Sequence, residues 1–339
     1  MAKLVVRPLE QSDLPACGAL LAARHTRDSQ RLPAMNEALR SPQFAAVAVK
    51  KEAFGSRIDA VVAARDGEVV GFLAGQRMLL PPDFYVSLYV EHHSAQIGTL
   101  GHAFAAGIDT TDVYRRMYAV LSGEWVRAGF FAHAISLPAG DGEVQEAWVS
   151  LGFGRKTTAA VRPTGPVETT SARSLEVHRA SAEDIDVVVS LERTLARHHA
   201  SPPIFWPDLR ETDDSFRQHQ LQLIADPASA FFLAYEGGRA MGMQTFVEPG
   251  YTPATVAPDL TVYLYEGVVE PDARGGGLGT ALLSHSMAWA RGQGYANCCL
   301  HFASDNPSGA PYWLGQGFVP VEHTMVRRID ERIAWAGVV

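Results

Sequence analysis

The stretch Arg274-Gly275-Gly276-Gly277-Leu278-Gly279-Thr280 constrains this chain more than any other. Ahead of it, Leu260, Val262, Leu264 and Val268 recur at every second position, the spacing of one face of a β-strand. Behind it, Leu278, Leu282, Leu283, Met287 and Trp289 fall on one broad arc of a helix. Strand, glycine loop and helix together make an anion site. Glycines let the backbone approach closely, and the free amides of a helix N-terminus point outward with the helix dipole behind them. No Gly-Lys-Ser/Thr follows, so the loop is not a Walker A loop. Its arginine and third glycine are also out of register with the dinucleotide fingerprint G-x-G-x-x-G.

The loop does fit R-x-x-G-x-G through Arg274, Gly277 and Gly279, with Pro271 three residues ahead of the arginine. Residues 269–279 resemble the acyl-CoA loop of the GNAT (Gcn5-related) N-acetyltransferase superfamily. Further on, a strand-like run over 295–303 precedes Asn306, and residues 311–318 resemble that family's closing helix and Gly-Phe strand start. The resemblance implies an α/β fold with a mixed, mostly antiparallel central sheet flanked by helices. It implies acetyl-CoA as co-substrate and no metal. The pyrophosphate would be gripped by Arg274, Gly275, Gly276, Gly277, Gly279 and Thr280, with Asn306 on the pantetheine amides. A strand-end cap is the other reading of Asn306.

The unit occurs twice. Leu4-Val5-Val6-Arg7 opens the chain as Leu175-Glu176-Val177-His178 opens its second half, and Asp13 and Asp184 follow at equivalent points. Two strand–turn–strand patterns recur, one through Asp66-Gly67 and one through Glu236-Gly237. Trp125 and Arg127 match Trp289 and Arg291, and Gly152-Phe153 matches Gly317-Phe318. Pro163-Thr164-Gly165-Pro166, continuing through Thr169, Thr170 and Ser171, has the composition of a linker. The expected organisation is two tandem GNAT-like domains, 1–162 and 175–339, joined by 163–174. The Trp125/Trp289 offset carries the glycine loop onto Thr110-Thr111-Asp112-Val113-Tyr114-Arg115. That segment has no glycine and sets Asp112 where an anion would sit. The first copy is therefore expected to have a degenerate CoA loop.

Composition excludes several other classes. A formal charge of −8 argues against nucleic-acid binding. There is no apolar run of the ~18 residues that reads as a membrane span, and no basic-then-apolar leader. Three cysteines, Cys17, Cys298 and Cys299, make no disulfide framework and lack metal-ligand spacing. A soluble cytoplasmic protein, monomer or homodimer, is the expectation, with no nucleic-acid or membrane partner.

Acetyl transfer to an amine needs a polarised thioester carbonyl, an uncharged amine and a proton for the departing thiolate. The resemblance assigns the first to the backbone of Val268 and Val269, with Gly267 as a bulge residue that splays the strand. Glu266 is the candidate base. Strict alternation sets it on the face of Val262, Leu264 and Val268, where burial would raise its pKa. The competing reading turns it to solvent or pairs it with an arginine. Tyr263 and Tyr265 then fall on the opposite face, as substrate-cleft or core residues. The family's usual tyrosine acid aligns with Trp313, so neighbouring Tyr312 becomes the candidate acid and Trp313 a packing residue. His301 reads as a relay or a core histidine. Phe205 and Trp206 read as the acceptor-side wall or as a surface loop tacked to the core. The functional expectation is an acetyl-CoA-dependent N-acetyltransferase acting on a small primary amine by direct attack in a ternary complex. The alternatives are an acyl-CoA-binding regulator without catalysis, or a transferase of another acyl group.

Overall fold

The computed structural model describes residues 4–168 and 176–336. The first half runs β1 (Leu4–Pro8), α1 (Leu14–Asp28), α2 (Pro42–Ala53), β2 (Ile58–Arg65), β3 (Glu68–Leu79), β4 (His93–Ile97) and β5 (His102–Phe104). It continues with α3 (Thr110–Arg127), β6 (Ala132–Pro138), α4 (Gly142–Val149) and β7 (Gly154–Pro163). The second half begins with β8 (Glu176–Arg179), α5 (Ile185–Ala200), α6 (Asp213–Ala225), β9 (Ala230–Glu236), β10 (Arg239–Val247) and β11 (Thr261–Val269). It ends with α7 (Leu278–Gly292), β12 (Asn297–Ala303), α8 (Gly309–Gly315) and β13 (Val319–Arg328). The two orders coincide, except that β11 is one strand where β4 and β5 are two.

Turn chemistry fixes the two hairpins. Asp66 and Gly67 both take positive φ (53° and 86°), as do Gly237 and Gly238 (59° and 80°). Two-residue loops of this left-handed type match the twist of paired strands, which sets the registers β2/β3 and β9/β10.

The described strands form one sheet in the order β1-β2-β3-β4-β6-β13-β7-β12-β11-β10-β9-β8, with β5 added on β3. Its pairs are antiparallel except β4/β6 and β11/β12. The centre of the sheet is exchanged between halves. The last strand of the second half, β13, lies on β6, and the last strand of the first half, β7, lies on β12 and β13.

Helices cover both faces. In the first half, Tyr114, Met117, Leu121 and Trp125 of α3 pack with Trp148 of α4 against the sheet. In the second, Leu278, Leu282, Leu283 and Met287 of α7 cover Val262, Leu264 and Phe246. Val188 and Leu191 of α5 bury the opposite face with Leu233, Met243 and Val268.

Residues 163–168, linker-like by composition, are docked on the second half. The Thr164 hydroxyl donates to the Tyr295 carbonyl (2.7 Å), and the Arg162 guanidinium donates to carbonyls of Gln316, Gly165 and Pro166. Thr169, Thr170, Ser171 and the repeat start at Leu175 lie outside the described residues.

One repeat assignment is corrected. Residues 110–115 are not the first half's loop but the opening turns of α3, as Leu278 opens α7. The counterpart of the glycine loop ends at Asp109 and contains Gly107, in the left-handed region at φ 80°. Aligning the tryptophans misled because α3 is 18 residues long and α7 is 15.

Candidate active site

β11 and β12 pair only from Thr261–Tyr263 to Asn297–Cys299. Beyond that β12 stays on β7 as far as Ala303, while β11 follows β10, so the two strands part. The cause is a bulge. On β10, Thr245 and Phe246 are consecutive, yet they face Glu266 and Leu264, which leaves Tyr265 as the extra residue. A bulge bends its strand and shifts the phase of its side chains.

That shift overturns two expectations, one from the resemblance and one from strict alternation. The extra residue is Tyr265, not Gly267. Glu266 does not share a face with Val262 and Leu264, which pack under α7. It shares the α5 and α6 face with Val268. Leu260 lies outside the strand and is exposed. Gly267 matters for another reason: a Cβ there would stand 3.1 Å from the Trp313 ring.

The glycine loop has the geometry its sequence implies. Gly275 and Gly277 adopt φ of 77° and 83°, which side chains rarely tolerate. Gly277 is the N-cap of α7, and no side chain caps that end. Arg274 braces the loop, its Nε donating to the Val269 carbonyl at 2.9 Å.

Glu266 is 5% exposed. Its Oε2 accepts a long bond (3.4 Å) from Gln220 Nε2, which also reaches Oε1 of Glu192 at 3.5 Å, and its Oε1 has no partner. Burial alone pushes its carboxyl well above the ordinary range. No arginine enters into that shift.

Tyr263 is buried and its hydroxyl meets His301 Nδ1 at 2.8 Å, across the mouth of the parting strands. Burial lowers His301 to about 4, so it is neutral. The Tyr265 hydroxyl is buried without a partner, and that of Tyr312 is buried beside Thr280. Burial raises Tyr312 to about 12, moderated by Thr280 and Arg162. The Tyr312 hydroxyl lies against Gly279, 3.3 Å from where a Cβ would be, whereas Trp313 covers Gly267. Tyr312 thus faces the first turn of α7, and Trp313 the C-terminal part of β11. Asn306 uses its Oδ1 as a cap, accepting from the amides of Ser308 (3.1 Å) and Gly309 (2.8 Å) and meeting His198 Nε2 at 3.1 Å.

A single cavity of about 1190 Å³ joins these groups. It is lined by Glu266, Val268, Val269, Tyr263, Tyr265, Arg274, Gly275, Gly277, Gly279, Thr280, Asn306, Tyr312, Phe205 and Trp206. Gly276 is not part of the lining. Trp206 packs on His199 and Tyr89, while Phe205 is 70% exposed. The cavity also takes in residues that sequence reasoning missed: Tyr85, Tyr89 and Lys156 from the first half, and Gln244 and Tyr251 from the second. Their segments carry no motif, and only the strand exchange brings the first three to this site. Buried Gln220, on the inner side of α6, gave no signal beyond its type. Among the described residues there is no metal-binding group and no helix long and apolar enough to cross a membrane.

Known proteins resemble this chain in both sequence and fold. Residues 193–318 match the acetyltransferase (GNAT) family. Over 129 residues the chain is 33% identical to a mycothiol acetyltransferase of Geodermatophilus obscurus, a match covering 37% of this chain and 39% of that relative's length. A GCN5-related N-acetyltransferase from Sphaerobacter thermophilus superposes with a TM-score of 0.61 at 13% identity, covering 96% of this chain and 95% of that one. A GCN5-related glucosamine N-acetyltransferase region of a fungal multi-domain β-N-acetylglucosaminidase gives 0.57 at 11% identity, over 96% of this chain and 38% of that one. Residues 193–318 are thus similar in sequence to GNAT acetyltransferases, and the likeness of fold extends over both halves.

Proposed function

We propose that the chain is an acetyl-CoA-dependent N-acetyltransferase with one active site, in its second half. The observation that carries this reading is the continuity of one cavity from the uncapped N-terminus of α7 to a buried, half-satisfied carboxylate at the open edge of β11. The pyrophosphate sits at the N-terminus of α7 beside Gly277, which no side chain caps and where the helix dipole favours negative charge. Pantetheine runs along the unpaired edge of β11 toward Val268 and Val269 in a strand-like manner. A primary amine attacks the thioester carbonyl directly, forming the C–N bond as the C–S bond breaks. Glu266 accepts the proton the amine gives up, a task its raised pKa suits. Tyr312, beside Thr280 in the same cavity, supplies a proton to the thiolate. Soluble expression and a cytoplasmic setting, which supplies acetyl-CoA, belong to the same proposal.

The test is an amine panel with acetyl-CoA and detection of released thiol, alongside calorimetry of acetyl-CoA binding. Binding at one site per chain with thiol release supports the reading. Binding without release from any amine favours the regulator alternative. No binding at all removes the proposal.

A further inference from the structure

The cavity does not end at Glu266. It continues beneath the first half's residues 85–91 and reaches Lys156 on β7. Tyr89 spans this distance: its hydroxyl lies close enough to Glu266, Tyr265 and Tyr263 for their charges to raise its pKa, although burial contributes most. At its other end, the Tyr89 backbone carbonyl accepts a 2.9 Å bond from Lys156 Nζ. That ammonium stands 5.6 Å from the centre of the Trp206 ring, and Trp206 meets Tyr89 edge-on at 6.3 Å. One backbone bond uses one of the three N–H groups of a lysine. The carboxylates that influence Lys156 are Glu91 and Asp305. Neither is within ion-pair range among the described residues, and Glu91 is bound to Arg328 at 2.5 Å. The result is a half-buried cation, walled by aromatic rings, facing the same space as the candidate base and lacking a counter-charge. Burial lowers its pKa, a cost that an incoming anion would remove.

Resting on the transferase reading above, we propose that the first half completes the acceptor pocket of the second. Lys156, with Tyr89 and Trp206, binds an anionic group carried by the amine acceptor, so the preferred acceptor is an amino acid or aminoalkyl phosphate and not a neutral amine. Lys156 is then a specificity-determining residue, remote from the reacting atoms.

The experiment measures acetyl transfer to matched pairs: amino carboxylates beside their carboxamides, and phosphoethanolamine beside ethanolamine. The charged member should have at least ~10-fold higher kcat/KM, the scale of one charge-assisted contact. Which pair shows the larger ratio identifies carboxylate or phosphate as the source. Lys156→Met should erase the preference by raising KM for charged acceptors, with KM for neutral ones and the Kd for acetyl-CoA unchanged. Lys156→Arg should retain most of the preference. Calorimetry of the same amino acids and phosphoethanolamine with the CoA-loaded protein keeps the inference testable if no transfer is detected. Binding that depends on Lys156 would then support the subsite while the transferase reading falls. Equal or better use of neutral amines, or charged acceptors indifferent to Lys156→Met in rate and in binding, overturns the inference.

Discussion

The helices α3 and α7 begin at equivalent points of the two halves, yet their first turns are built in opposite ways. At α7 the N-cap is Gly277, and no side chain takes the leading amides. At α3 the N-cap is Asp109, whose Oδ1 accepts from the Asp112 amide at 2.9 Å. A carboxylate of the chain itself thus occupies the position that an external anion would need. The strands ahead of the helices differ in the same sense. β11 leaves one edge open beyond Tyr263. In the first half the corresponding edge is sealed: Arg24, 2% exposed, donates to the carbonyls of Thr99 and His102. His102 Nε2 bridges to the Ser136 carbonyl on β6 at 3.0 Å, and the Thr99 hydroxyl is bonded to Glu322 of β13. One framework, by a handful of side chains, is made either a receptacle or a filled core.

The comparison breaks most readily at Gly277. Gly277→Asp should lower acetyl-CoA affinity by ~10²-fold or more, because it strains a φ of 83° and sets a carboxylate against the pyrophosphate. Unchanged affinity by calorimetry would remove the asymmetry between α3 and α7. Next in size, Glu266→Gln should lower turnover by ~10²–10⁴-fold with acetyl-CoA affinity barely moved.

The same variant has a stability signature. The folded protein keeps a proton on Glu266 that the unfolded chain gives up above its ordinary value of 4.5. The wild-type carboxyl contributes fully below that pH, and its contribution is lost as pH rises toward the folded pKa, by up to ~1.4 kcal/mol per pH unit. Glu266→Gln should therefore gain stability relative to wild type as pH rises through that window. Chemical denaturation at several pH values measures it, and parallel pH profiles would mean the carboxyl is not held protonated.

Asp109→Ala sharpens the comparison from the other side. It should cost ~1 kcal/mol through loss of the cap and create no second CoA site, because the strand edge remains sealed. Two equivalents of bound CoA by titration would show that the cap alone separates the halves. The smallest effect is expected at Tyr312. Tyr312→Phe removes at most one weak bond, to Thr280, so stability should change by about 1 kcal/mol or less. If Tyr312 serves the thiolate, the alkaline limb of the kcat profile shifts. A change confined to acetyl-CoA affinity would assign it to the loop.

The glycine loop, the strand before it and the helix after it were legible because each rests on local chemistry: positive φ, alternation and an amphipathic arc. The hairpins at Asp66-Gly67 and Glu236-Gly237 were legible for the same reason, although the second turn falls one residue later, on Gly237-Gly238. Alternation failed at Tyr265, since a bulge has no residue signature there and inverts every face after it. The face of Glu266 was therefore misassigned, as were Tyr263 and Tyr265 in relation to it. The sealing of the first half was invisible, because Arg24, Thr99, His102 and Glu322 come from three distant stretches of sequence. Tyr89 and Lys156 were missed on the same ground.

The exchange of β7 and β13 has a consequence for how this chain can be divided. A fragment ending before β8 would lack the strand that normally covers β6, and one beginning at β8 would expose β12 as a bare edge. Each fragment holds the piece the other needs. Expressed as two separate polypeptides, the halves should be insoluble or prone to self-pairing alone and should recover a working complex together, the behaviour of a split protein. Domain trimming, the usual route to a minimal enzyme, is closed to this molecule by its own topology.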